Sequence, residues 1–229
     1  MNQEFVICIP ARYQSTRLPG KPLIPIKGKP LIQWAIESAN KLGAREVVVA
    51  TDDQRILDFV NSLGQKVIMT ATNHLSGTDR IAECAQIMNW ENDTLVLNYQ
   101  GDEPLIPKEN IDAVLQLFDT HPDISMGTLY QEINNIDDVF SPNVVKIVTD
   151  NDNKALYFSR APIPWSQKLF SQNGTMTLPK TVTYKHHIGL YAYRVDFLNA
   201  FSKLKPADIE ITESLEQLRA LATGNEIAV

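Results

Sequence analysis

The sequence has few of the features that mark metal-binding, secreted or membrane-spanning proteins. Its 229 residues include only two cysteines, Cys8 and Cys84, which lie in apolar segments without metal-ligand spacing. We therefore expect both to be reduced, buried thiols of a cytoplasmic protein. No apolar run approaches the roughly 20 residues that a membrane helix needs, and the start shows no secretory leader, so we expect no membrane insertion.

The chain also lacks the positive charge that general nucleic-acid binding requires. It carries 27 acidic and 21 basic residues, for a net charge of −6, so we do not expect nucleic acid as a partner. A Walker loop, a G-x-G-x-x-G motif and internal repeats are absent from the sequence as well. The 44% apolar content is instead that of a globular protein with a sizeable core.

The most informative stretch is a basic loop that follows the first apolar segment. Residues 5–9 are typical of a buried strand, which ends at Pro10 because proline cannot donate to a sheet. Arg12, Arg17 and Lys21 then follow without an accompanying acid. This pattern favours an anion site at the carboxyl end of a parallel sheet, and the alternative is a solvated basic loop.

The next segments alternate between helical and strand patterns. A helix is expected after Pro30, a strand at 46–50, a helix after Asp53 and a strand at 65–69. Such alternation is typical of an α/β fold with parallel strands. Asp52 or Asp53 could bind a metal, but the position favours a helix N-cap.

Two polar motifs follow further along the chain. Ser76, Gly77 and Thr78 come just before a predicted helix, where free backbone N–H groups can receive an anion or a base edge. Capping of that helix by Thr78 or Asp79 is the simpler interpretation, and both can hold.

The second motif, at residues 100–104, follows a hydrophobic strand. Gly101 permits close backbone approach, and Asp102 falls at the carboxyl end of a central strand. A carboxylate at this position suits Mg²⁺, although an ordinary turn at the strand end explains the pattern equally well.

The C-terminal half predicts a hairpin and a long helix. Strands at 144–149 and 155–159 flank Asp150-Asn-Asp-Asn153, which favours a hairpin turn over a calcium loop because the required glycine is missing. A last helix is expected from about Asp208 to Ala222, with Ile211, Leu215, Leu218 and Ala222 facing the core.

These motifs together resemble a known family. In chain order they are Pro10-Ala-Arg-Tyr-Gln-Ser-Thr-Arg-Leu-Pro-Gly-Lys-Pro22, Ser76-Gly-Thr-Asp-Arg80, Gln100-Gly-Asp-Glu-Pro104, Tyr157-Phe-Ser-Arg160 and Glu216-Gln-Leu-Arg219. Over essentially its whole length the chain resembles the 3-deoxy-manno-octulosonate cytidylyltransferases, the CMP-Kdo synthetases of Gram-negative bacteria. The resemblance implies a nucleotide-diphospho-sugar transferase fold, a three-layer α/β/α arrangement around a mixed, mainly parallel sheet. It also implies one nucleotidyltransferase domain over 1–229, with a hairpin lobe at about 142–190 that forms a homodimer.

The resemblance further implies a reaction, in which CTP and Kdo give CMP-Kdo and pyrophosphate with Mg²⁺ as cofactor, for lipopolysaccharide biosynthesis. Arg12, Lys21 and Asp102 are the implied catalytic residues, with Asp102 as the metal ligand. The implied nucleotide-binding residues are these three with Pro10, Ala11, Ser15, Ser76, Thr78, Arg80 and Gln100. The implied sugar-binding residues are Gln100, Arg160, His187, Tyr191, Glu216 and Gln217.

One departure from the family pattern and three alternatives remain. Family members continue into a G-V-D-T-P-E-D-L segment whose Asp is a second metal ligand, whereas the given sequence ends at Val229. We therefore expect an incomplete second metal site. The alternatives are a CMP-sialic acid synthetase, another sugar nucleotidyltransferase and an inactive nucleotide-binding protein on the same fold.

Overall fold

The computed structural model describes residues 4–14, 18–74, 76–170, 177–178 and 182–229. The chain divides into two compact units. Unit 1 comprises Met1–Thr120 and Leu190–Leu204, and unit 2 comprises His121–Gly189 and Lys205–Val229. The predicted organisation, a single domain with a lobe at about 142–190, stays a prediction.

Strands and helices alternate along most of the described chain. The strands are β1 Phe5–Ala11, β2 Pro25–Ile26, β3 Lys29–Pro30, β4 Glu46–Thr51, β5 Val67–Met69, β6 Leu95–Asn98, β7 Met126–Glu132, β8 Lys146–Thr149, β9 Ala155–Ser159 and β10 Lys185–Arg194. The helices are α1 Leu31–Ala39, α2 Gln54–Ser62, α3 Gly77–Ile87, α4 Lys108–Thr120, α5 Ile136–Phe140, α6 Gln167–Phe170, α7 Val195–Phe201, α8 Asp208–Glu213 and α9 Gln217–Ala222. Among the described residues, no helix has both the length and the apolar character needed to cross a membrane.

Unit 1 is built on a mainly parallel sheet. Its strands lie in the order β5-β4-β1-β6, and each neighbouring pair is parallel. The predicted end of the first strand at Pro10 is wrong, because β1 continues to Ala11. Proline lacks an N–H group, but Pro10 and Ala11 still lie in register with Ala50 and Thr51 of β4. Residues 191–194 of β10 then pair antiparallel with β6. Ile7 of β1 lies opposite Val47 and Leu97, and all three are buried, as expected of a strand covered on both faces. The predicted α/β class with a mixed, mainly parallel sheet is confirmed.

The helix starts in unit 1 follow local sequence signals. Helix α1 begins immediately after Pro30, whose fixed φ suits a helix entry. Helix α2 has Asp53 as its N-cap, and the carboxylate accepts a hydrogen bond from the Arg55 backbone N–H at 3.0 Å. The N-cap prediction is therefore confirmed for Asp53.

Unit 2 contains the predicted hairpin. Strands β8 and β9 pair antiparallel, with Ile147 opposite Phe158. In the turn between them, the Asp150 Oδ1 atom accepts hydrogen bonds from the backbone N–H groups of Asp152 at 2.9 Å and Lys154 at 2.8 Å. This carboxylate therefore stabilises the turn, and the hairpin prediction is confirmed. Its role in dimerisation stays a prediction.

The prediction of one long C-terminal helix is wrong. The segment is split into α8 and α9 at Ser214, which has a left-handed φ of 53°. Ile211, expected in the core, is 65% exposed, and Ala222 is exposed as well. The break has a compensating interaction, because the Arg219 guanidinium binds the buried Glu210 carboxylate at 2.6 and 2.9 Å. This charge-assisted pair of hydrogen bonds connects α8 and α9 across the break.

Candidate active site

A pocket of about 220 Å³ lies in unit 1, where β1 ends and α3 begins. Its position at the carboxyl end of a central parallel strand is where ligands bind in open α/β sheets. Several of the predicted nucleotide-binding residues meet there. The lining residues are Pro10, Ala11, Arg12, His74, Ser76, Gly77 and Arg80.

Arg80 forms part of the pocket but is itself tightly held. It is only 3% exposed, and its guanidinium donates to the Thr70 hydroxyl at 2.5 Å and to the Asp52 carboxylate at 2.6 Å. The ion pair with Asp52 balances its charge within the protein. Arg80 therefore contributes shape and hydrogen-bond donors to the pocket more than free positive charge.

The first turn of α3 forms another side of the pocket. The N-cap is Ser76, whose hydroxyl accepts from the Asp79 backbone N–H at 3.1 Å and donates to the Asp79 carboxylate at 2.9 Å. The prediction that Thr78 or Asp79 caps this helix is therefore wrong, because Ser76 has the extended backbone that an N-cap needs. Thr78 is buried, with its hydroxyl 3.4 Å from the Tyr193 hydroxyl.

The basic loop and the Gln100–Pro104 motif meet at an ion pair. The Lys21 Nζ atom lies 2.6 Å from the Asp102 carboxylate. The Lys21 side chain is 39% exposed and the Asp102 side chain is 44% exposed. Gly101 permits this arrangement, since a Cβ at that position would lie 3.3 Å from Ile32 and 3.6 Å from the Pro10 carbonyl oxygen. The close backbone approach expected at Gly101 is present.

The carboxylates beside Lys21 form a suitable place for a cation. Burial first, and the charge of Asp102 second, raise the pKa of the neighbouring Glu103 carboxyl. Mg²⁺ needs only one or two protein carboxylates when phosphate oxygens and waters complete its shell. The donor set at Asp102 therefore fits the metal.

The other predicted residues of the first loop differ in how exposed they are. Arg12 is exposed at the pocket, Pro10 is half-buried and Ala11 is buried. Ser15 and Arg17 lie outside the described residues. In the described part of the chain, no group of three or more His, Cys, Asp or Glu side chains is placed so that it could hold a metal ion. The predicted metal ligand Asp102 therefore has no cluster of further ligands among those residues.

Of the predicted sugar-binding residues, Gln100 and Tyr191 belong to unit 1, and Arg160, His187, Glu216 and Gln217 belong to unit 2. The Tyr191 ring stacks on Tyr193, with centroids 5.9 Å apart. Gln217 is buried, and its Nε2 atom has no hydrogen-bond partner among the described residues. A buried amide N–H group without a protein acceptor can donate a hydrogen bond to a ligand or to a bound water.

Arg160 is held by the backbone around it. Its guanidinium donates to the carbonyl oxygens of Glu213 at 2.8 Å, Pro142 at 2.9 Å and Ser214 at 3.4 Å. Because a guanidinium has five N–H donors, these contacts leave capacity for a carboxylate. Lys146 supports the same segment, since its fully buried ammonium donates to the Arg160 carbonyl at 2.6 Å.

His187 is a neutral, buried histidine. Burial first, and the neighbouring His186 second, lower the pKa of His187 to about 3. Its Nε2 atom lies 3.1 Å from the Thr128 hydroxyl, which donates to the Ile188 carbonyl, so the ring nitrogen donates to the hydroxyl. His187 can therefore offer hydrogen bonds but no positive charge near neutral pH.

Three polar residues near the candidate residues were missed by the motif analysis. His74 lines the unit 1 pocket and binds Glu83, while Lys146 and Glu213 hold Arg160 in unit 2. The Glu213 carboxylate also accepts a hydrogen bond from the Ser159 hydroxyl at 2.5 Å. The position of His74 two residues before the Ser76 motif is the one local signal that singles it out.

Comparison with known proteins decides the family. A family model described as cytidylyltransferase matches residues 6–227. A 3-deoxy-manno-octulosonate cytidylyltransferase of Pseudomonas fluorescens is 50% identical over 229 residues, covering 100% of this chain and 90% of the relative. Another of the same name, from Vibrio vulnificus, is 48% identical over 225 residues, or 98% of this chain and 88% of the relative.

The chain belongs to the cytidylyltransferase family. The resemblance inferred from the motifs is thereby confirmed. A solved CMP:2-keto-3-deoxy-manno-octonic acid synthetase in complex with CTP superposes on this cytidylyltransferase with a TM-score of 0.86 and 41% identity, covering 99% of this chain and 88% of the other. A cytidylyltransferase from Leptospira borgpetersenii, at 19% identity and a TM-score of 0.55, shares the fold.

Proposed function

We propose that this protein transfers CMP from CTP to 3-deoxy-manno-octulosonate, releasing pyrophosphate and supplying CMP-Kdo for lipopolysaccharide biosynthesis. The observation that carries the proposal is the unit 1 pocket, which Arg12 and the α3 N-terminus line at the end of a central strand. Gly101, next to Asp102 of the Lys21–Asp102 pair, lies against the Pro10 carbonyl at the same strand end. The 41%-identical solved relative in complex with CTP supports the choice of nucleotide.

The charges of unit 1 suit a triphosphate bound across the end of the sheet. Lys21 and Arg12 supply positive charge on the basic loop, and the amides of the first α3 turn have no intrahelical acceptor. Fixed positive charges such as Arg12 and Lys21 stabilise negative charge that builds up on phosphate oxygens in the transition state, and the free amides of α3 are left for a polar edge of the nucleoside. In this proposal Arg12 and Lys21 hold the phosphates, while Ala11, Ser76 and Arg80 contact the nucleoside.

The proposed cofactor is Mg²⁺, which Asp102 would hold together with phosphate oxygens. When bound, the metal supplies charge neutralisation on the triphosphate. The Lys21 ammonium is paired with Asp102 at 2.6 Å in this structure. In the proposal, a phosphate of the bound nucleotide replaces Asp102 as the partner of the ammonium. The carboxylate then becomes available for the cation.

The proposed acceptor is the acid sugar Kdo, whose anomeric hydroxyl oxygen forms a bond to the α-phosphorus. The bond between the α-phosphorus and the bridging oxygen breaks, pyrophosphate leaves and the hydroxyl proton passes to solvent. Arg160 is proposed to bind the Kdo carboxylate, because a guanidinium matches it with two parallel hydrogen bonds. His187, Tyr191, Gln100, Glu216 and Gln217 are proposed to bind the sugar hydroxyls.

The direct test is pyrophosphate release on mixing the protein with CTP, Mg²⁺ and Kdo. We expect turnover that requires all three, with little product when N-acetylneuraminic acid or a sugar 1-phosphate replaces Kdo. Turnover with either replacement but not with Kdo would support the corresponding alternative enzyme. Binding of CTP without any turnover would instead favour an inactive nucleotide-binding protein.

We also propose that the protein is a cytoplasmic homodimer. Unit 2 exposes large apolar side chains that a partner copy can cover, with Leu156 61%, Trp165 52% and Ile211 65% exposed. The buried free thiols of Cys8 and Cys84 suit a reducing compartment. Light scattering of the protein and of a Trp165→Ser variant tests the dimer, and we expect the variant to dissociate at a higher protein concentration.

A further inference from the structure

The unit 1 pocket contains a histidine that the motif analysis did not assign. His74 lines the pocket, and its side chain is 18% exposed. Its Nε2 atom forms a short hydrogen bond with the Glu83 carboxylate on the second turn of α3. The same carboxylate oxygen accepts the Ala71 backbone N–H at 2.8 Å. Glu83 therefore fixes both the His74 ring and the loop that carries it.

This contact determines which hydrogen bonds the ring can make. An ionised carboxylate only accepts hydrogen bonds. Burial alone would raise the pKa of Glu83, but the His74 ring first and the Ala71 N–H second lower it below its ordinary value. The His74 Nε2 atom must therefore carry the hydrogen. In the neutral ring the Nδ1 atom is then an acceptor, and it has no hydrogen-bond partner among the described residues.

The charges around His74 favour a neutral ligand group over a phosphate. Asp52 lies 2.6 Å from the Arg80 guanidinium, and Glu83 is bound to His74, so Arg80 and His74 each have an adjacent carboxylate. Arg12, which is exposed at the pocket, and Lys21 lie on the basic loop that follows β1. A nucleotide is thus expected to place its phosphates toward the basic loop and its base toward His74.

We propose that His74 determines base specificity, with its Nδ1 atom accepting a hydrogen bond from the exocyclic 4-amino group of cytosine. Uracil has a carbonyl oxygen at that position, which would face the Nδ1 lone pair and leave both acceptors unsatisfied. Glu83 acts as a positioning residue, since it fixes the tautomer and the ring. The inference rests on the proposed function in one respect, which is that the pocket binds a cytidine nucleotide.

The test compares CTP with the triphosphate of 2-pyrimidinone riboside, which lacks only the 4-amino group. Binding of each to the full-length protein is measured by titration calorimetry in the absence of Kdo. We expect the wild type to bind CTP about tenfold more tightly than the analogue, as one hydrogen bond is lost. His74→Phe keeps the ring size without an acceptor, and we expect it to bind both nucleotides equally.

A His121→Phe variant serves as the matched control, since it removes a histidine that is not part of the pocket lining. We expect it to keep the wild-type preference. Equal weakening of both nucleotides in His74→Phe would show that His74 only supports the loop, and would overturn the proposal. An unchanged preference in that variant, or a wild type that binds neither nucleotide, would overturn it as well.

A second variant covers the case in which His74→Phe does not fold. An asparagine places its Oδ1 atom near the former Nδ1 position, and its amide can also turn to offer an N–H group. His74→Asn should therefore keep CTP binding and gain affinity for UTP by about tenfold. Unchanged UTP affinity in this variant would contradict the proposal. A protein that binds CTP through His74 but does not turn over Kdo would refute only the proposed function.

Discussion

Acid stability should depend on His187, the buried histidine of unit 2. Its pKa in the folded protein is about 3, whereas an unperturbed histidine titrates near 6.5. Protonation therefore favours the unfolded chain. The stability that the neutral ring provides is fully present above pH 6.5 and is lost progressively as the pH falls from there towards 3.

The magnitude follows from the two pKa values. At pH 5 an unfolded histidine is mostly protonated while His187 remains neutral, which costs roughly 2 kcal/mol of unfolding free energy relative to pH 8. His187→Gln removes the titration and keeps a group that can hydrogen-bond to Thr128. We therefore expect the variant to be less stable than the wild type at pH 8 and to lose about 2 kcal/mol less between pH 8 and pH 5.

The assay is urea unfolding of wild type and His187→Gln at half-unit pH steps between 8 and 5, followed by fluorescence. His121→Gln is the control, since it removes a partly exposed histidine, and its pH dependence should follow that of the wild type more closely than His187→Gln does. Identical pH dependence in wild type and His187→Gln would refute the reasoning. It would mean that the site admits water or a counter-charge that keeps the pKa near its ordinary value.

The other predictions concern the proposed chemistry. Lys21→Ala should lower kcat by about 10²–10³ with little change in melting temperature, because a fixed charge at the phosphates is lost; normal turnover would place Lys21 outside the site. Asp102→Asn should abolish the Mg²⁺ dependence seen in a titration with CTP, since an amide does not carry the charge that the cation needs; equal activity at every Mg²⁺ concentration would contradict this. Arg160→Lys should raise KM for Kdo by about tenfold or more and leave that for CTP nearly unchanged, because the ammonium lacks the planar pair of donors; a rise in KM for CTP alone would assign Arg160 to the nucleotide.

Local sequence signals were sufficient to predict many of the structural elements of unit 1. The buried strand that begins at Phe5, the helix after Pro30 and the N-cap at Asp53 are local effects, set by backbone geometry and by periodicity, whereas the end of that strand was predicted one or two residues too early. The same holds for the hairpin that turns at Asp150. Motif spacing was also sufficient to identify the family, because the motifs occur in the family order along the chain.

Tertiary structure decided which polar groups became partners. The periodicity of residues 208–222 favoured one helix, but the buried Glu210–Arg219 pair is formed across a break at Ser214. The sequence likewise does not reveal that Asp52 neutralises Arg80, that Glu83 orients His74, or that burial keeps His187 neutral. Such pairings depend on desolvation and on contacts between residues far apart in the chain, and neither quantity is encoded in local spacing.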